Sequence, residues 1–265
     1  MTKLIWLSGI HFAQEGDVFG HDPKLRLQSA IDHVTAQHAD AALCVITGDV
    51  VNNDCFEDYQ AVASRLKGLQ MPFLTMVGNH DDRALFRQVF SLPDTCMKGC
   101  VQYTVPIDEG TIVCLDTHKI GSDAGEFCEV RRDWLHKTLK ESGCAPVFLF
   151  MHHPPLALDL PMQDTEKLEN GAQFLKLVSQ FDCVQHLFIV HVHRPITGTV
   201  SAIAFGSMHS GLCQAPPPRR EWSWRTFKPA QEAPSLGVVQ TNGSTVTLQY
   251  EQFCTYEFGA LDAAK

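Results

Sequence analysis

The chain has 265 residues, 45% of them hydrophobic and 19% charged, with a net charge of −9 at pH 7. That length can bury a substantial core as one α/β domain or two small ones, and the composition is that of an ordinary globular protein. The acidic balance argues against a generic binder of nucleic acid or acidic membrane, because phosphates are repelled unless a local patch or a metal intervenes.

LIWL at 4–7 reads as a strand that runs straight into Ser8, Gly9, Ile10 and His11. Asp22 and Pro23 supply the cap and first position of a helix with Leu27, Ala30, Ile31 and Val34 on one face. ALCVI at 42–46 is a second strand and leads into Gly48 and Asp49. Asp54 is the expected cap of a helix carrying Phe56, Tyr59, Ala63 and Leu66, closed by Gly68. PFLTMV at 72–77 leads into Gly78, Asn79, His80 and Asp81, and TIVCL at 111–115 is a further strand. Val130, Trp134, Leu135 and Leu139 mark a helix ahead of Gly143. PVFLFM at 146–151 leads into His152, His153 and two prolines, and HLFIV at 186–190 into His191, Val192, His193 and Arg194. A proline-rich stretch at 214–234 breaks the pattern. LGVVQT, Asn242-Gly243 and STVTLQY then predict a hairpin with a type I′ turn. Strand–helix alternation of this kind implies sheets with helices on their faces.

No apolar run approaches the roughly 18 residues of a membrane span. The start, MTKLIWLSG, is too short for a secretory apolar region of about 7–15 residues. The ten cysteines are scattered, none in a CxxC pair, and read as reduced thiols of a cytoplasmic protein.

A lone histidine after a strand is ordinarily a solvated loop residue, and Asn-His-Asp is ordinary turn chemistry. Here strand after strand ends in His, Asp or Asn, and open α/β sheets bind ligands outside the carboxyl ends of their strands. Histidine nitrogens with Asp and Asn oxygens suit Zn, Mn, Fe or Co. His191 and His193 point to one side of an extended segment, so each would serve a different ion of a pair, with Asp49 bridging. Two metals about 3.5–4 Å apart activate water and clamp both oxygens of a phosphoryl transfer.

These motifs resemble the calcineurin-like binuclear metallophosphoesterases, and within them the bacterial cyclic-nucleotide phosphodiesterases and glycerophosphodiesterases. The likeness rests on Gly9-Ile-His11, Gly48-Asp49, Gly78-Asn79-His80-Asp81, His152-His153-Pro-Pro and Val190-His191-Val-His193-Arg194, and spans roughly residues 4–210. It implies a four-layer α/β/β/α sandwich of two mixed sheets flanked by helices, with the hairpin at the C-terminal end. The whole chain, 1–265, would be a single domain: a catalytic core over 1–212, then a proline-rich loop and hairpin over 213–265. The resemblance places one ion on Asp49, Asn79, His152 and His191, and the other on His11, Asp49, His193 and a carboxylate at position 9. It makes His80 the proton donor to the leaving oxygen or a hydrogen-bond donor in the transition state, with Asp49 as the other catalytic residue.

Gly9 stands where the family places its first aspartate, and Val190 where it places a glycine. The expectation is therefore two divalent ions, with the His11/Asp49/His193 position weak or empty and turnover reduced. The expected substrate is a small phosphodiester, a cyclic nucleotide ahead of a glycerophosphodiester. A nucleotide-binding pseudoenzyme, or a variant engineered to be inactive, would carry the same substitution. No nucleic-acid polymer or membrane partner is expected; an open hairpin edge at 236–250 would suit a homodimer.

Asp81 and Asp116 read as hydrogen-bonding supports. His21, His33, His38, His118, His136 and His186 read as surface or cap residues, and His209 as a group approaching the site. Arg219, Arg220, Arg225 and Lys228, interleaved with Trp222 and Trp224, read as a lid over substrate, a subunit contact, or equally a solvated proline-rich excursion before the hairpin.

Overall fold

The apolar runs assemble into two sheets in the computed structural model, which describes residues 1–254. Residues 255–265, the end of the expected hairpin segment, lie outside the described residues. The first sheet holds β1 (Thr2–Leu7), β2 (Leu43–Thr47), β3 (Phe73–Met76), β10 (Ser235–Thr241) and β11 (Val246–Gln252), in the order β11-β10-β1-β2-β3. The second holds β4 (Tyr103–Ile107), β5 (Gly110–Leu115), β6 (Val147–Met151), β7 (Val184–Ile189), β8 (Thr197–Val200) and β9 (Ile203–Ser207), in the order β4-β5-β6-β7-β9-β8. Both are mixed: β1-β2-β3 and β5-β6-β7-β9 run parallel, and the flanking pairs run antiparallel.

Trp6 lies edge-on to Phe150 and Phe188 of the other sheet, at 6.1 and 5.1 Å, and those two rings stack at 4.3 Å. Its indole N–H donates to Thr47 Oγ1 at 2.9 Å, so the largest buried side chain leaves no polar atom unsatisfied. Helices α1 (Pro23–Gln37), α2 (Phe56–Leu66) and α3 (Arg83–Val89) share the core of the first sheet. Helices α4 (Glu129–Ser142) and α5 (Gly171–Val178) bury Leu135, Leu139, Phe174 and Val178 against the second. The result is the helix–sheet–sheet–helix sandwich.

Asp22 accepts from the backbone N–H groups of Lys24 and Leu25, capping α1 as its sequence predicts. Asp54 does not cap α2: the extended backbone of Cys55 takes the cap position, with no side-chain hydrogen bond. His33 and His38 are more than surface residues, since both meet Glu251 Oε2, at 3.2 and 2.9 Å, and tie α1 to the edge strand β11.

The hairpin turn also departs from expectation. Thr241 pairs with Val246, so the turn spans 242–245, and within it only Gly243 has a positive φ, of 92°. A type I′ turn needs two such residues. Asn242 instead accepts the N–H groups of Ser244 and Thr245 through its side chain. Through β10, which pairs with β1 along Thr2–Trp6, the hairpin is continuous with the first sheet. No helix among the described residues is long and apolar enough to cross a membrane.

Candidate metal centre

The loops that leave β1, β2, β3, β6 and β7 meet at the seam between the two sheets. Four residues there carry left-handed backbone: His11 (φ 43°), Asp49 (49°), His191 (71°) and His193 (50°). Such conformations cost about 1–3 kcal/mol each for non-glycine residues and gather where the surrounding fold enforces a site. Close approach does the rest. A β-carbon on Gly78 would lie 2.2 Å from Asp49 Oδ1, and one on Gly48 would lie 2.6 Å from the Gly78 nitrogen.

The donors fall into two groups that share Asp49. On one side, Asp49 Oδ2 is 3.2 Å from His152 Nε2, while Asn79 Oδ1 is 3.2 Å from the same nitrogen and 3.0 Å from His191 Nδ1. On the other, Asp49 Oδ2 is 3.6 Å from His11 Nε2, which is 3.2 Å from His193 Nε2. Backbone carbonyls orient two of the rings. His152 Nδ1–H donates to Thr47 O at 2.9 Å and His193 Nδ1–H to Cys213 O at 3.1 Å, which turns each Nε2 inward.

Burial pushes His191 down to about 3 and His193 to about 4, and holds His11 well below the usual range, so these rings are neutral. Burial alone would raise Asp49. The surrounding His152, His80 and His11 outweigh it and keep the carboxylate ionised. His11 Nδ1 and His191 Nε2 are buried without a hydrogen-bond partner. Facing imidazole nitrogens beside a carboxylate oxygen satisfy one another poorly. Spacings of this size are also the edges of a coordination shell with bonds of about 2.0–2.2 Å. The residues present fit divalent ions.

Gly9 adds no donor. A β-carbon there would lie 3.4 Å from His193 Nε2, so a side chain at this position would aim at the centre. Val190 does not crowd the donors. It is buried in the core between the sheets, and its N–H donates to His152 O at 3.1 Å.

His80 Nδ1–H donates to Asn52 O at 3.0 Å, and its backbone N–H reaches Asp49 Oδ1 at 3.2 Å. Burial lowers its pKa, but Asp49 and the Asn52 carbonyl outweigh this and raise it above the ordinary value. Asp81 is the expected support. It accepts from the N–H groups of Val50, Val51 and Gly78 and from the Tyr59 hydroxyl, while burial and Asp49 push it up to about 6. Asp116 binds Arg83 at 2.6 and 2.7 Å, and His118 Nδ1–H donates to Gly78 O at 3.1 Å, a role beyond capping. His153 spends both ring nitrogens on Thr117 Oγ1 and Asp123 O. His209 turns instead to Ser235 Oγ at 2.7 Å and Glu232 at 3.5 Å, so the expectation that it approaches the centre fails.

His11, Asp49, Asn79, His80, His191 and His193 all line one cavity of about 370 Å³, with His152 fully buried behind them. Sequence reasoning misses Asp123, Gln163, Glu166, Phe19 and Phe227, which line it too. Glu166 Oε2 is 3.8 Å from His191 Nε2, and burial with nearby Asp123 pushes its carboxyl up to about 7. Nothing in the aperiodic stretch around 163–166 signals this. Of the expected basic and aromatic lid only Trp224 reaches the cavity; Arg219 lies over Trp222 at 5.7 Å.

Two nitrogen-and-oxygen donor groups sharing one carboxylate, at the seam of an α/β/β/α sandwich, define a metal-dependent phosphoesterase. The chain belongs to the calcineurin-like phosphoesterases, whose family model matches residues 10–197. Members of this family use a binuclear divalent centre. The chain is 34% identical over 207 residues to a probable cyclic nucleotide phosphodiesterase of Rhodopseudomonas palustris, covering 77% of this chain and 76% of that one. It is 32% identical over 154 residues to the glycerophosphodiester phosphodiesterase GpdQ of Enterobacter lignolyticus, covering 57% of this chain and 55% of that one. Its fold matches a dimetal phosphatase from Danio rerio with a TM-score of 0.66 at 13% identity, over 97% of this chain and 99% of that one.

Proposed function

We propose that this phosphodiesterase acts on a small phosphodiester, a cyclic nucleotide, and that Gly9 weakens one of its two metal positions. The observation that carries the reading is the sharing of Asp49 Oδ2 between the His152 and His11 sides of one cavity. Asp49, Asn79, His152 and His191 would hold one ion, and His11, Asp49 and His193 the other. Ions held there supply Lewis acidity, neutralising phosphoryl charge and making water nucleophilic near neutral pH.

The chain's own groups do the rest. With Nδ1 anchored on Asn52, His80 presents Nε2 to the cavity, placed to hand a proton to the leaving oxygen. Asp81 and His118 hold the loops that carry Asp49 and Asn79. The cyclic-nucleotide reading is supported by the 34% identity to a protein of that name; the match to GpdQ keeps a glycerophosphodiester as the alternative. At the His11 side three protein donors remain where the family has four. Losing an outer hydrogen-bond partner of a metal ligand costs about 10–100-fold in affinity, and losing a ligand costs at least that.

The test is hydrolysis of bis(p-nitrophenyl) phosphate, a 3′,5′-cyclic nucleotide and a 2′,3′-cyclic nucleotide with added Mn²⁺. Measurable turnover of a cyclic nucleotide supports the reading. Silence on every diester while Mn²⁺ is bound would sink it and favour a nucleotide-binding pseudoenzyme.

A further inference from the structure

One wall of the cavity is not used by the donors. Phe19, Trp224 and Phe227 line it, with Phe227 edge-on to Phe19 at 5.6 Å and tilted against Trp224 at 5.6 Å. Phe19 is 57% exposed and Trp224 47%. Large rings grouped and left open at the mouth of a polar site mark a place where an apolar surface docks. The same cavity is lined by Gln163, only 7% exposed, whose side-chain amide makes no hydrogen bond among the described residues. An amide with unused donors and acceptor, reaching a cavity from an otherwise buried residue, is suited to a polar edge of a ligand.

The lining contains no lysine or arginine and includes Asp123 and Glu166, with Glu166 beside Trp224. A second anionic group is therefore a poor fit for this wall. A flat, uncharged ring with hydrogen-bonding edges fits both halves.

We propose that Phe19, Trp224 and Phe227 form a stacking platform for the nucleobase of the substrate, and that Gln163 hydrogen-bonds the base edge or a ribose hydroxyl. The inference rests on the phosphodiesterase reading above and names the substrate class more closely. Every base has a π-face, so such a platform favours nucleotides over aliphatic diesters without selecting one base strongly.

The test compares kcat/KM with Mn²⁺ for 3′,5′-cyclic AMP and for glycerophosphoethanolamine in the wild type, Trp224→Ala and Phe227→Ala. The ratio of the two values should fall about 10- to 100-fold in each variant, chiefly through KM for the nucleotide. A measurement without turnover accompanies it: equilibrium dialysis of AMP and of ribose 5-phosphate without added metal. The wild type should prefer AMP, and the variants should lose the preference. An unchanged ratio, or wild-type indifference between AMP and ribose 5-phosphate, overturns the platform. Wild type that turns over neither diester yet prefers AMP keeps the platform and removes the phosphodiesterase reading. Wild type that turns over both, with an unchanged ratio in the variants, does the reverse.

Discussion

The Ser210 hydroxyl fills the space that a side chain on Gly9 would enter. Its Oγ lies 2.6 Å from where a β-carbon on Gly9 would stand, and it donates to Gly9 O at 2.7 Å. The same oxygen accepts the Leu212 N–H at 3.0 Å. Gly9 also has a φ of +55°, so the backbone as well as the space suits glycine. The two residues are complementary, so a carboxylate introduced at position 9 would meet the Ser210 side chain.

Gly9→Asp alone should therefore destabilise the protein by about 1–3 kcal/mol through overpacking and tighten Mn²⁺ binding on the His11 side little. Gly9→Asp with Ser210→Gly should tighten it by at least about 10-fold. Calorimetric titration with Mn²⁺ compares the two. Equal affinities would mean that Ser210 yields freely.

His80→Ala should lower kcat by about 10²–10⁴-fold on a cyclic nucleotide, whose leaving alkoxide needs a proton. On bis(p-nitrophenyl) phosphate, whose p-nitrophenolate leaves unaided, the loss should be much smaller. Parallel losses on both substrates would assign His80 to binding instead.

Asp116 is fully buried between Arg83 and Arg131. Burial alone would raise its pKa, but the hydrogen bonds and charge of Arg83, with Arg131 behind, hold it below the usual carboxylate range. A depressed folded-state pKa means the stabilisation is present above about pH 3.9, the ordinary Asp value, and is lost as pH falls through the folded-state value. Asp116→Asn leaves both cations without their buried partner and should cost about 3–5 kcal/mol at pH 7. In urea unfolding, the gap between variant and wild type should narrow below about pH 4. A gap constant across that range would refute the linkage.

A divalent ion that binds only the folded chain should raise its stability by about 2.7 kcal/mol at a hundred times its Kd. Chelation should remove that gain, and Asp49→Ala should remove it from both positions at once. Gly78→Ala should do nearly the same, because its methyl would displace Asp49 Oδ1 and the His152 ring. Thermal melts with Mn²⁺ and with EDTA decide; a shift retained in Asp49→Ala would place the ion elsewhere.

The strands whose both faces are buried were the legible part of the fold. LIWL, ALCVI and PVFLFM are apolar throughout because β1, β2 and β6 have neighbours on every side. The strand β8, TGTV, is largely exposed at a sheet edge and leaves no such trace. The donors were legible for a related reason: each sits just past a buried strand, where a polar residue stands out. Gln163, Glu166 and Phe19 come from segments without a period, and only the folded chain brings them to the cavity. The Ser210–Gly9 fit was equally hidden, since the two residues are 201 positions apart and one of them has no side chain to read.

The centre is assembled across great lengths of chain. His11 meets His193 over a separation of 182 residues, and Asn79 meets His191 over 112. Contacts so far apart close large loops and form late in folding. A nascent chain that ends before residue 191 has His11, Asp49, Asn79 and His152 but neither His191 nor His193, and a partly folded one has its donors unassembled. Metal that binds these donors would thus be acquired only after both sheets have docked, so that a loaded centre would certify a finished fold.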